Sequence, residues 1–352
     1  MSDTIRIIEI IEEINRIALK AQKKTGFSIG NTTKDNQETY YSTPIRNTSL
    51  MVIGGVIVYS EAQAIEIAKM VDGKVDYILV DAEKKISSKE SARGQYEPSN
   101  VERRVRESIH ISKIWVYKGN DVSVDAVDIL LTHLTNNKIT GLGGKKVTIL
   151  GCGNLGSKLA LKLVERGAHV SITRRNEKNL NVIVEALNLI KPIYTVSKVI
   201  GSTDNLHAVK DAEILIGATP GIPVITSDMV KSLAPSPIIL DVGKGTLFQD
   251  AIETAENYGI DIYRLDVSSS FEGLIASLWY SEVAISQKLG RREFCGIKIV
   301  STGLLGRKDE IVVDNILNPS QAYGIADGKG DFVRNLNEQQ MNMISKLKSH
   351  FL

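Results

Sequence analysis

Residues 147–176, VTILGCGNLGSKLALKLVERGAHVSITRRN, contain a glycine pattern that could bind phosphate groups. The glycines at Gly151, Gly153 and Gly156 have the spacing GxGxxG. In such a loop the first glycine permits a tight turn, the second lets a pyrophosphate approach the backbone, and the third lets the following helix pack close to the strand. The pattern alone is weak evidence, but here a predicted strand precedes it and a predicted helix follows. It therefore predicts a dinucleotide site, the alternative being a similar domain that binds no ligand.

The second predicted strand of this region ends in two arginines. An NAD-preferring site usually has an acid there to bind the ribose diol, whereas an arginine suits the 2′-phosphate of NADP. Arg174 and Arg175 occupy this place, and the first acid is Glu177. A guanidinium offers phosphate a planar fork of donors. The arginines therefore favour NADP over NAD, the alternative being a solvated basic loop.

Two further loops follow predicted strands and should open onto the same edge, because ligands bind beyond the carboxyl ends of parallel strands. They contain Thr219-Pro220-Gly221 and Asp241-Val242-Gly243-Lys244-Gly245. Including these loops, the residues predicted to bind the coenzyme are Gly151, Gly153, Asn154, Leu155, Gly156, Arg174, Arg175, Thr219, Pro220 and Gly243.

Hydride transfer also needs a group that stabilises charge or moves a proton on the substrate, and a lysine or an Asp/Lys pair can do both. Lys244 is the first candidate because it follows a predicted strand on the nicotinamide side. Lys118 and Asp121 are the second, at a predicted strand end and helix start. Lys244 could equally be a surface residue, and Asn120 or Asp121 could simply cap the helix. Residues of the same kind and weight are Ser123, Asp125, Asp81, Lys84, Lys85 and the stretch 268–273.

The composition excludes several other functions. The formal net charge is only +2, which gives no electrostatic reason to expect binding to nucleic acid or to a membrane. The histidines form no HxH or HExxH pattern, so no metal site is predicted. With two cysteines, Cys152 and Cys295, a disulfide framework is implausible, and we expect a cytoplasmic protein. Cys152 is interpreted as a packing residue.

The elements that must position these residues are predicted from periodicity. A helix is expected over 5–21 and a β-α-β unit over 51–82. The polar stretch 25–49 is interpreted as an extended or irregular arm that could line the substrate cleft or, equally, form a dimer arm. A short helix, a strand and a longer helix are then expected at 100–107, 109–119 and 121–135.

From Lys145 onward, short apolar runs alternate with helical segments, which indicates a parallel sheet covered by helices on both faces. Strands are expected at 147–150, 169–173, 193–196, 214–218, 238–242 and 260–265, and a long helix at 268–289. The predicted fold is α/β, a doubly wound Rossmann sheet plus a smaller N-terminal α/β domain, with a cleft between them. The predicted domains are 1–137, 138–290 and a C-terminal extension, 291–352, that packs back on the first domain.

Residues 147–156, 218–221 and 239–243, in this order and spacing, resemble the C-terminal half of the methylene-tetrahydrofolate dehydrogenase/cyclohydrolases. They also resemble the methylene-tetrahydromethanopterin dehydrogenases, the shikimate dehydrogenases and related amino-acid-dehydrogenase-like Rossmann proteins. Residues 123–134 and 268–289 are similar to the helices that enter and leave the coenzyme domain in this group. The resemblance implies hydride transfer to or from NADP in a cleft between two α/β domains.

We therefore predict an NADP-dependent oxidoreductase that acts on a small polar metabolite, with a pterin or folate-type compound or another biosynthetic intermediate among the candidates. A homodimer is expected. The alternatives are an NAD-dependent dehydrogenase of amino or hydroxy acids and a non-catalytic dinucleotide-binding regulatory protein.

Overall fold

The structure, a computed structural model, describes residues 3–32, 40–86, 99–136 and 139–351. The chain forms two compact units, Met1–Gly273 and Leu274–Leu352. The predicted boundary between residues 137 and 138 lies outside the described residues, and the division into three domains stays a prediction.

The first unit begins with a five-stranded sheet whose strand order is β2-β3-β1-β4-β5. All neighbours in it are parallel except β2, which runs antiparallel to β3 at one edge. The elements are α1 (Asp3–Ala21), β1 (Lys24–Asn31), β2 (Tyr40–Asn47), β3 (Met51–Val58), α2 (Glu61–Val71), β4 (Tyr77–Asp81), α3 (Val101–Ser108), β5 (Lys113–Tyr117) and α4 (Gly119–Leu134).

The stretch 25–49, predicted as an extended or irregular arm, is extended in β1 and β2, and residues 33–39 lie outside the described residues. It is wrong that this stretch is an arm, because β1 is the central strand of this sheet and β2 pairs with β3. The polar and glycine-rich composition of β1 concealed it. Phe27 and Ile29 are fully buried, and a Cβ at Gly55 of β3 would lie 2.1 Å from the Ser28 carbonyl oxygen. Such close approach of two backbones is a property of the packing and leaves no apolar pattern in the sequence.

A six-stranded sheet follows, with the order β8-β7-β6-β9-β10-β11 and all strands parallel. This is the order of a doubly wound dinucleotide-binding sheet, and it confirms the predicted fold class. Its elements are β6 (Lys146–Leu150), α5 (Asn154–Glu165), β7 (His169–Thr173), α6 (Glu177–Ile190), β8 (Val199–Ser202), α7 (Asn205–Val209), β9 (Ile214–Gly217), α8 (Ser227–Lys231), β10 (Ile238–Asp241), α9 (Gln249–Asn257) and β11 (Ile262–Arg264).

One strand of this sheet differs from its prediction. The strand expected at 193–196 is a turn and a loop, and β8 begins at Val199 instead. Ile193 and Val196 are about nine-tenths exposed, at 89% and 91%, so their β-branched side chains are not part of the core.

Apolar cores cover both faces of the six-stranded sheet. On one face Leu159 and Leu163 of α5 pack with Val127 and Leu131 of α4, so that α4 shares the core of the six-stranded sheet. We refer to this sheet as the coenzyme sheet, after the coenzyme site predicted in the loop that follows β6. On the other face Leu215 and Ile239 pack against the helices α8 and α9. The helix α4, which follows the last strand of the first sheet, therefore packs against α5, the helix that follows the glycine loop.

The helix α10 (Ser268–Val283) begins in the first unit and ends in the second, where a π-helical segment, Ala284–Lys288, follows it. The second unit contains a four-stranded sheet of order β12-β13-β14-β15 and a final helix. These elements are β12 (Arg291–Phe294), β13 (Ile297–Ser301), β14 (Ile311–Val313), β15 (Ala322–Ile325) and α11 (Glu338–Lys348). Within the described ranges, none of the helices has the length and apolar character needed to cross a membrane.

Candidate functional site

The glycine loop lies at the point where the strand order of the coenzyme sheet reverses. The chain runs outward from β6 through β7 to β8 and then returns to place β9 on the other side of β6. The loops after β6 and β9 therefore lie side by side, and the Ala218 amide donates to the Leu150 carbonyl at 2.8 Å. In open α/β sheets ligands bind in the crevice at this switch point.

Two glycines of the loop are required by its own geometry. Gly151 has φ +103°, in the left-handed region that side chains disfavour. A Cβ at Gly156 would lie 2.1 Å from the Gly151 carbonyl oxygen, so only glycine lets α5 approach the loop.

Gly153 differs from both. Apart from Gly153 itself and its two chain neighbours, no atom of the described residues lies within 4 Å of the position that its Cβ would take. It precedes Asn154 and Leu155, the first residues of α5, and supplies no capping side chain to the amides there. Amides of a first helical turn that lack a cap, next to open space, are the donors that a phosphate requires.

The predicted arginines follow β7 and lie beside this loop. The Arg174 side chain is half-buried, and its Nη1 donates to the Cys152 carbonyl at 2.7 Å. Arg175 is exposed. One N–H of the Arg174 fork thus fixes the guanidinium against the glycine loop, and a positive charge stands next to the start of α5.

Cys152 lies within the glycine loop but is buried, and its Sγ lies 3.2 Å from the Ser157 Oγ. Burial raises the pKa of the Cys152 thiol above its ordinary value. A neutral, buried thiol is a poor nucleophile, which agrees with its interpretation as a packing residue.

The loops after β9 and β10 also meet. A Cβ at Gly243 would lie 1.8 Å from the Thr219 carbonyl oxygen, and the Gly243 amide donates to the Gly217 carbonyl at 2.9 Å. The buried Asp241 carboxylate holds the second loop through the Gly245 amide at 2.7 Å. The structure thus brings the predicted residues Thr219, Gly243 and the exposed Pro220 to the same edge as the glycine loop.

Lys244 lies in this second loop with φ +60°. Hydrogen bonds from Ser268 lower the pKa of Asp266, and the charges of Arg46 and Lys244 lower it further. Arg46 also donates from Nε to the Ser268 Oγ at 3.1 Å. Lys244 therefore lies with a second cation near the start of α10. The sequence did not single out Arg46, because it belongs to the stretch interpreted as an irregular arm.

The other two catalytic candidates, Lys118 and Asp121, belong to an ion-pair network. The Lys118 Nζ lies 3.2 Å from Asp121 Oδ2, and the Lys158 Nζ of α5 lies 2.5 Å from Asp121 Oδ1 and 3.2 Å from Glu83 Oε1. Burial opposes the charged form of Lys158, but the hydrogen bonds to Asp121 and Glu83 outweigh it and raise its pKa. Burial would likewise raise the pKa of Asp121, yet Lys158 and Lys118 lower it overall.

The predicted cap of α4 by Asn120 or Asp121 is wrong. The N-cap residue is Lys118, which makes no side-chain capping bond. Acids from the end of β4 take its place: Asp81 Oδ1 accepts from the Gly119 amide at 3.2 Å, and Glu83 Oε2 accepts from the Asn120 amide at 2.8 Å.

Both carboxylate oxygens of Asp81 are engaged by hydrogen bonds or an ion pair within the protein. Its Oδ1 also accepts from the Glu83 amide at 3.0 Å, and its Oδ2 pairs with the Lys85 Nζ at 2.7 Å. Burial would raise the pKa of Glu83, but Lys85, the Asn120 amide and Lys158 lower it overall. Sequence reasoning found Asp81 and Lys85 and missed Glu83 and Lys158, whose partners come from distant segments.

The two helix starts touch directly. The Asn120 Nδ2 of α4 donates to the Asn154 Oδ1 of α5 at 2.9 Å.

Among the residues that the structure describes, no group of three or more His, Cys, Asp or Glu is placed to hold a metal ion.

Comparison with known proteins supports the coenzyme domain. Residues 146–245 match the family described as NADP oxidoreductase, coenzyme F420-dependent. Over 106 residues the chain is 29% identical to the glycerol-3-phosphate dehydrogenase [NAD(P)+] of Bacillus subtilis (strain 168), a match that covers 29% of this chain and 31% of that protein. The chain thus matches about a third of that relative's length.

Both matches are to NAD(P)-dependent oxidoreductases, in agreement with the predicted NAD(P)-dependent dehydrogenase or reductase. They support an NADP-binding domain of the Rossmann type and do not confirm the resemblance to the methylene-tetrahydrofolate or shikimate dehydrogenases. The choice between NADP and NAD is not resolved by them.

Solved structures give weaker likenesses. L-tryptophan dehydrogenase from Nostoc punctiforme aligns with a TM-score of 0.41 at 13% identity, over 71% of this chain and 72% of that one. Ornithine carbamoyltransferase from Pyrococcus furiosus aligns with a TM-score of 0.39 at 13% identity, over 78% and 93%. Likenesses at this level carry no argument about function.

Proposed function

We propose that this protein is an NADP-dependent oxidoreductase that transfers a hydride between the coenzyme and a small polar metabolite. One observation carries the proposal. The first amides of α5 receive no side-chain cap, and open space lies next to them at Gly153, at the switch point of the coenzyme sheet. The Arg174 guanidinium is held beside this loop by its hydrogen bond to the Cys152 carbonyl. The matches to NAD(P)-dependent oxidoreductases over the same residues support it.

The residues present fit the coenzyme. The amides of Asn154 and Leu155, with the positive end of the α5 dipole, would hold the pyrophosphate. Arg174 and Arg175 would bind the 2′-phosphate, since Arg174 uses one N–H on Cys152 and a guanidinium has five. The loops that contain Thr219 and Gly243 would line the nicotinamide end.

NADP, when bound, supplies or accepts the hydride; this chain must bind the substrate and manage its charge. Lys244 is the candidate for that task. An ammonium can stabilise negative charge that develops on a substrate oxygen, or can donate a proton to it. Lys244 lies near Asp266, and the neighbouring Arg46 adds a second positive charge on the same side.

Lys118 and Asp121 are less suited to this task than the sequence suggested. Both are engaged with each other, and Asp121 also binds Lys158. In the proposal Asp121 holds the start of α4 against α5 through Lys158, and Lys118 pairs with Asp121 beside this contact. They act as positioning residues.

A screen of metabolites by nicotinamide absorbance tests the proposal. NADPH would be offered with keto acids, imino acids, sugar phosphates and oxidised pterins, and NADP with their reduced forms. We expect turnover with one class. Tight NADPH binding without turnover of any class would overturn the oxidoreductase proposal and favour a non-catalytic coenzyme-binding protein.

One observation favours a second candidate, an NAD-linked dehydrogenase of hydroxy or amino acids. The Arg174 guanidinium already donates to the glycine loop, so its charge could serve the loop itself instead of a 2′-phosphate. A wild-type protein that binds NADH and NADPH equally well would support this second candidate.

A further inference from the structure

The outer edge of the coenzyme sheet carries many exposed apolar side chains within a short stretch of the chain. It covers the outward side of α6, the loop at 191–198 and the strand β8, and we refer to it as the α6–β8 surface. Seven large apolar side chains here are between 59% and 93% exposed: Val182, Leu189, Ile190, Ile193, Tyr194, Val196 and Ile200. Monomeric proteins rarely expose this much apolar surface in one region.

The helix α6 is apolar on two opposite sides. Leu180 and Leu187 are buried against the coenzyme sheet. On the other side Val182, Ala186 and Leu189 are exposed at positions i, i+4 and i+7, which line one face of a helix. A surface helix normally presents charged or polar residues on its outer face, and a helix that is apolar all round is normally buried. The outer side of α6 thus carries more apolar surface than a solvated face normally does, beside the exposed charges Lys178 and Glu185.

The strand β8 is the end strand of the six-stranded sheet. It pairs with β7 along one side, and the described residues place no strand on its other side. Proteins usually protect such an edge with charged residues or proline. Here Ile200 and Gly201 are exposed in the strand itself, and only Lys198 precedes it as a charge.

The size of the surface suits a dimer. The seven side chains together present roughly 600 Å² of apolar area. A standard interface buries about 800 Å² per partner, and in homodimers about two-thirds of that area is apolar. The α6–β8 surface therefore supplies the apolar area that one protomer of a stable dimer contributes.

We propose that a second copy of this chain docks on the α6–β8 surface about a twofold axis. The two copies would bring α6 and β8 of one protomer against the same elements of the other. Such a contact buries the same patch on both partners. The exposed charges nearest these apolar side chains, Lys178, Glu185 and Lys198, are few and of both signs. They form no single-sign pattern of the kind by which a different, charged partner is recognised, whereas the apolar centre matches that of a homodimer interface. The proposal does not depend on which coenzyme the protein binds.

Analytical ultracentrifugation of the purified protein at micromolar concentration tests the proposal. We expect the wild type to sediment as a dimer and the variant Ile193→Glu/Val196→Glu to sediment as a monomer. Both side chains are about nine-tenths exposed, at 89% and 91%, so the variant should fold normally, as circular dichroism will verify. Leu189→Lys on α6 provides an independent second disruption.

A matched control substitutes exposed apolar residues elsewhere in the same unit. Ile111 and Tyr258 are 76% and 63% exposed, and Ile111→Glu/Tyr258→Glu should leave the dimer intact. A monomeric wild type overturns the proposal, and so does a dimer that survives both Ile193→Glu/Val196→Glu and Leu189→Lys.

Discussion

The parallel strands of the two sheets in the unit Met1–Gly273 end in carboxyl edges of opposite character. At the edge of the coenzyme sheet the chain turns on glycines, and open space lies at Gly153. At the edge of the first sheet the corresponding space holds Asp81, Glu83 and Lys85, which bind one another. One edge leaves room for a ligand, and the other is filled by the protein's own charges.

The helices that start at these two edges show the same contrast. The first amides of α4 are taken by the carboxylates of Asp81 and Glu83, whereas Gly153 gives α5 no side-chain cap. Both helices have the positive end of a dipole at a sheet edge. What distinguishes a phosphate site from a structural helix start is therefore whether the protein satisfies those amides itself.

Two glycine substitutions separate the ligand role from the structural role and should give the largest effects. Gly153→Val places its side chain in open space, so the free energy of unfolding should change by less than about 1 kcal/mol. Because the side chain would stand where a pyrophosphate approaches, NADPH affinity should fall about 100-fold or more. Thermal unfolding and fluorescence titration measure the two quantities.

Gly156→Ala is the matched variant. Its Cβ would meet the Gly151 carbonyl oxygen at 2.1 Å, so it should destabilise the fold by roughly 2–4 kcal/mol. If both variants unfold equally, or if Gly153→Val binds NADPH normally, the contrast between the two glycines is wrong.

The arginines after β7 should give the next largest effect. Arg174→Asp/Arg175→Ala removes two cations and adds an acid, so NADPH affinity should fall roughly 30- to 100-fold while NADH affinity changes little. Competition between the two coenzymes for the wild type and the variant measures this. Parallel losses for both coenzymes would instead mean that Arg174 supports the glycine loop through its bond to Cys152.

Substituting one lysine at each of the two edges tests which edge takes part in catalysis. Lys244→Ala should lower kcat by roughly 10- to 100-fold, because an ammonium near the reacting group stabilises the transition state. Lys118→Ala should change kcat less than about threefold, since Lys118 pairs with Asp121 at the filled edge. Steady-state kinetics on the substrate found by screening measures both values of kcat. A larger loss of kcat in Lys118→Ala than in Lys244→Ala would place the catalytic group at the edge of the first sheet.

The ion pairs between α4 and α5 should give the smallest effect. Lys158→Met removes the partner of Asp121 and Glu83, and should lower the free energy of unfolding by about 1–2 kcal/mol at neutral pH. Urea unfolding measures this loss, and Lys162→Met, at the more exposed pair with Asp125, is the control that should cost less.

The same pairs predict a pH dependence. The pKa of Lys158 is raised above 10.5, so its contribution is complete below that value and is lost as the pH rises through the folded-state pKa. The pKa values of Asp121 and Glu83 lie below 3.8 and 4.5, so their contribution is complete above those values and is lost as the pH falls through the folded-state pKa. The cost of Lys158→Met should therefore be constant between roughly pH 5 and 10 and shrink below pH 4. A cost that persists at pH 2 would mean that packing, and not charge, accounts for it.

The sequence predicts the coenzyme sheet well because its strands and helices follow local patterns. The GxGxxG loop, the apolar runs at β6, β9 and β10, and the helix α6 can each be found without knowing the rest of the fold. The strand β1 could not be found in this way. Its polar and glycine residues are accommodated by the close approach of β3, which only the assembled sheet creates.

The residues of the candidate site also differ in whether a local sequence pattern reveals them. The residues of the glycine loop follow one another in a local motif, so the sequence alone shows them with their spacing, and their part in binding a coenzyme stays a prediction. The partners of Lys118 and Asp121 could not, because Lys158 and Glu83 are brought to them from other elements. Types and positions in a sequence show which groups are available, but not which of them are already neutralised by a neighbour.

Calorimetric titration of the purified protein with NADPH, and separately with NADH, tests the central claim most directly. The account predicts that NADPH binds with a Kd in the micromolar range and at least about tenfold more tightly than NADH, and that Gly153→Val abolishes the binding heat. Absence of binding by either coenzyme, or undiminished binding by Gly153→Val, would contradict the assignment of this edge as the coenzyme site.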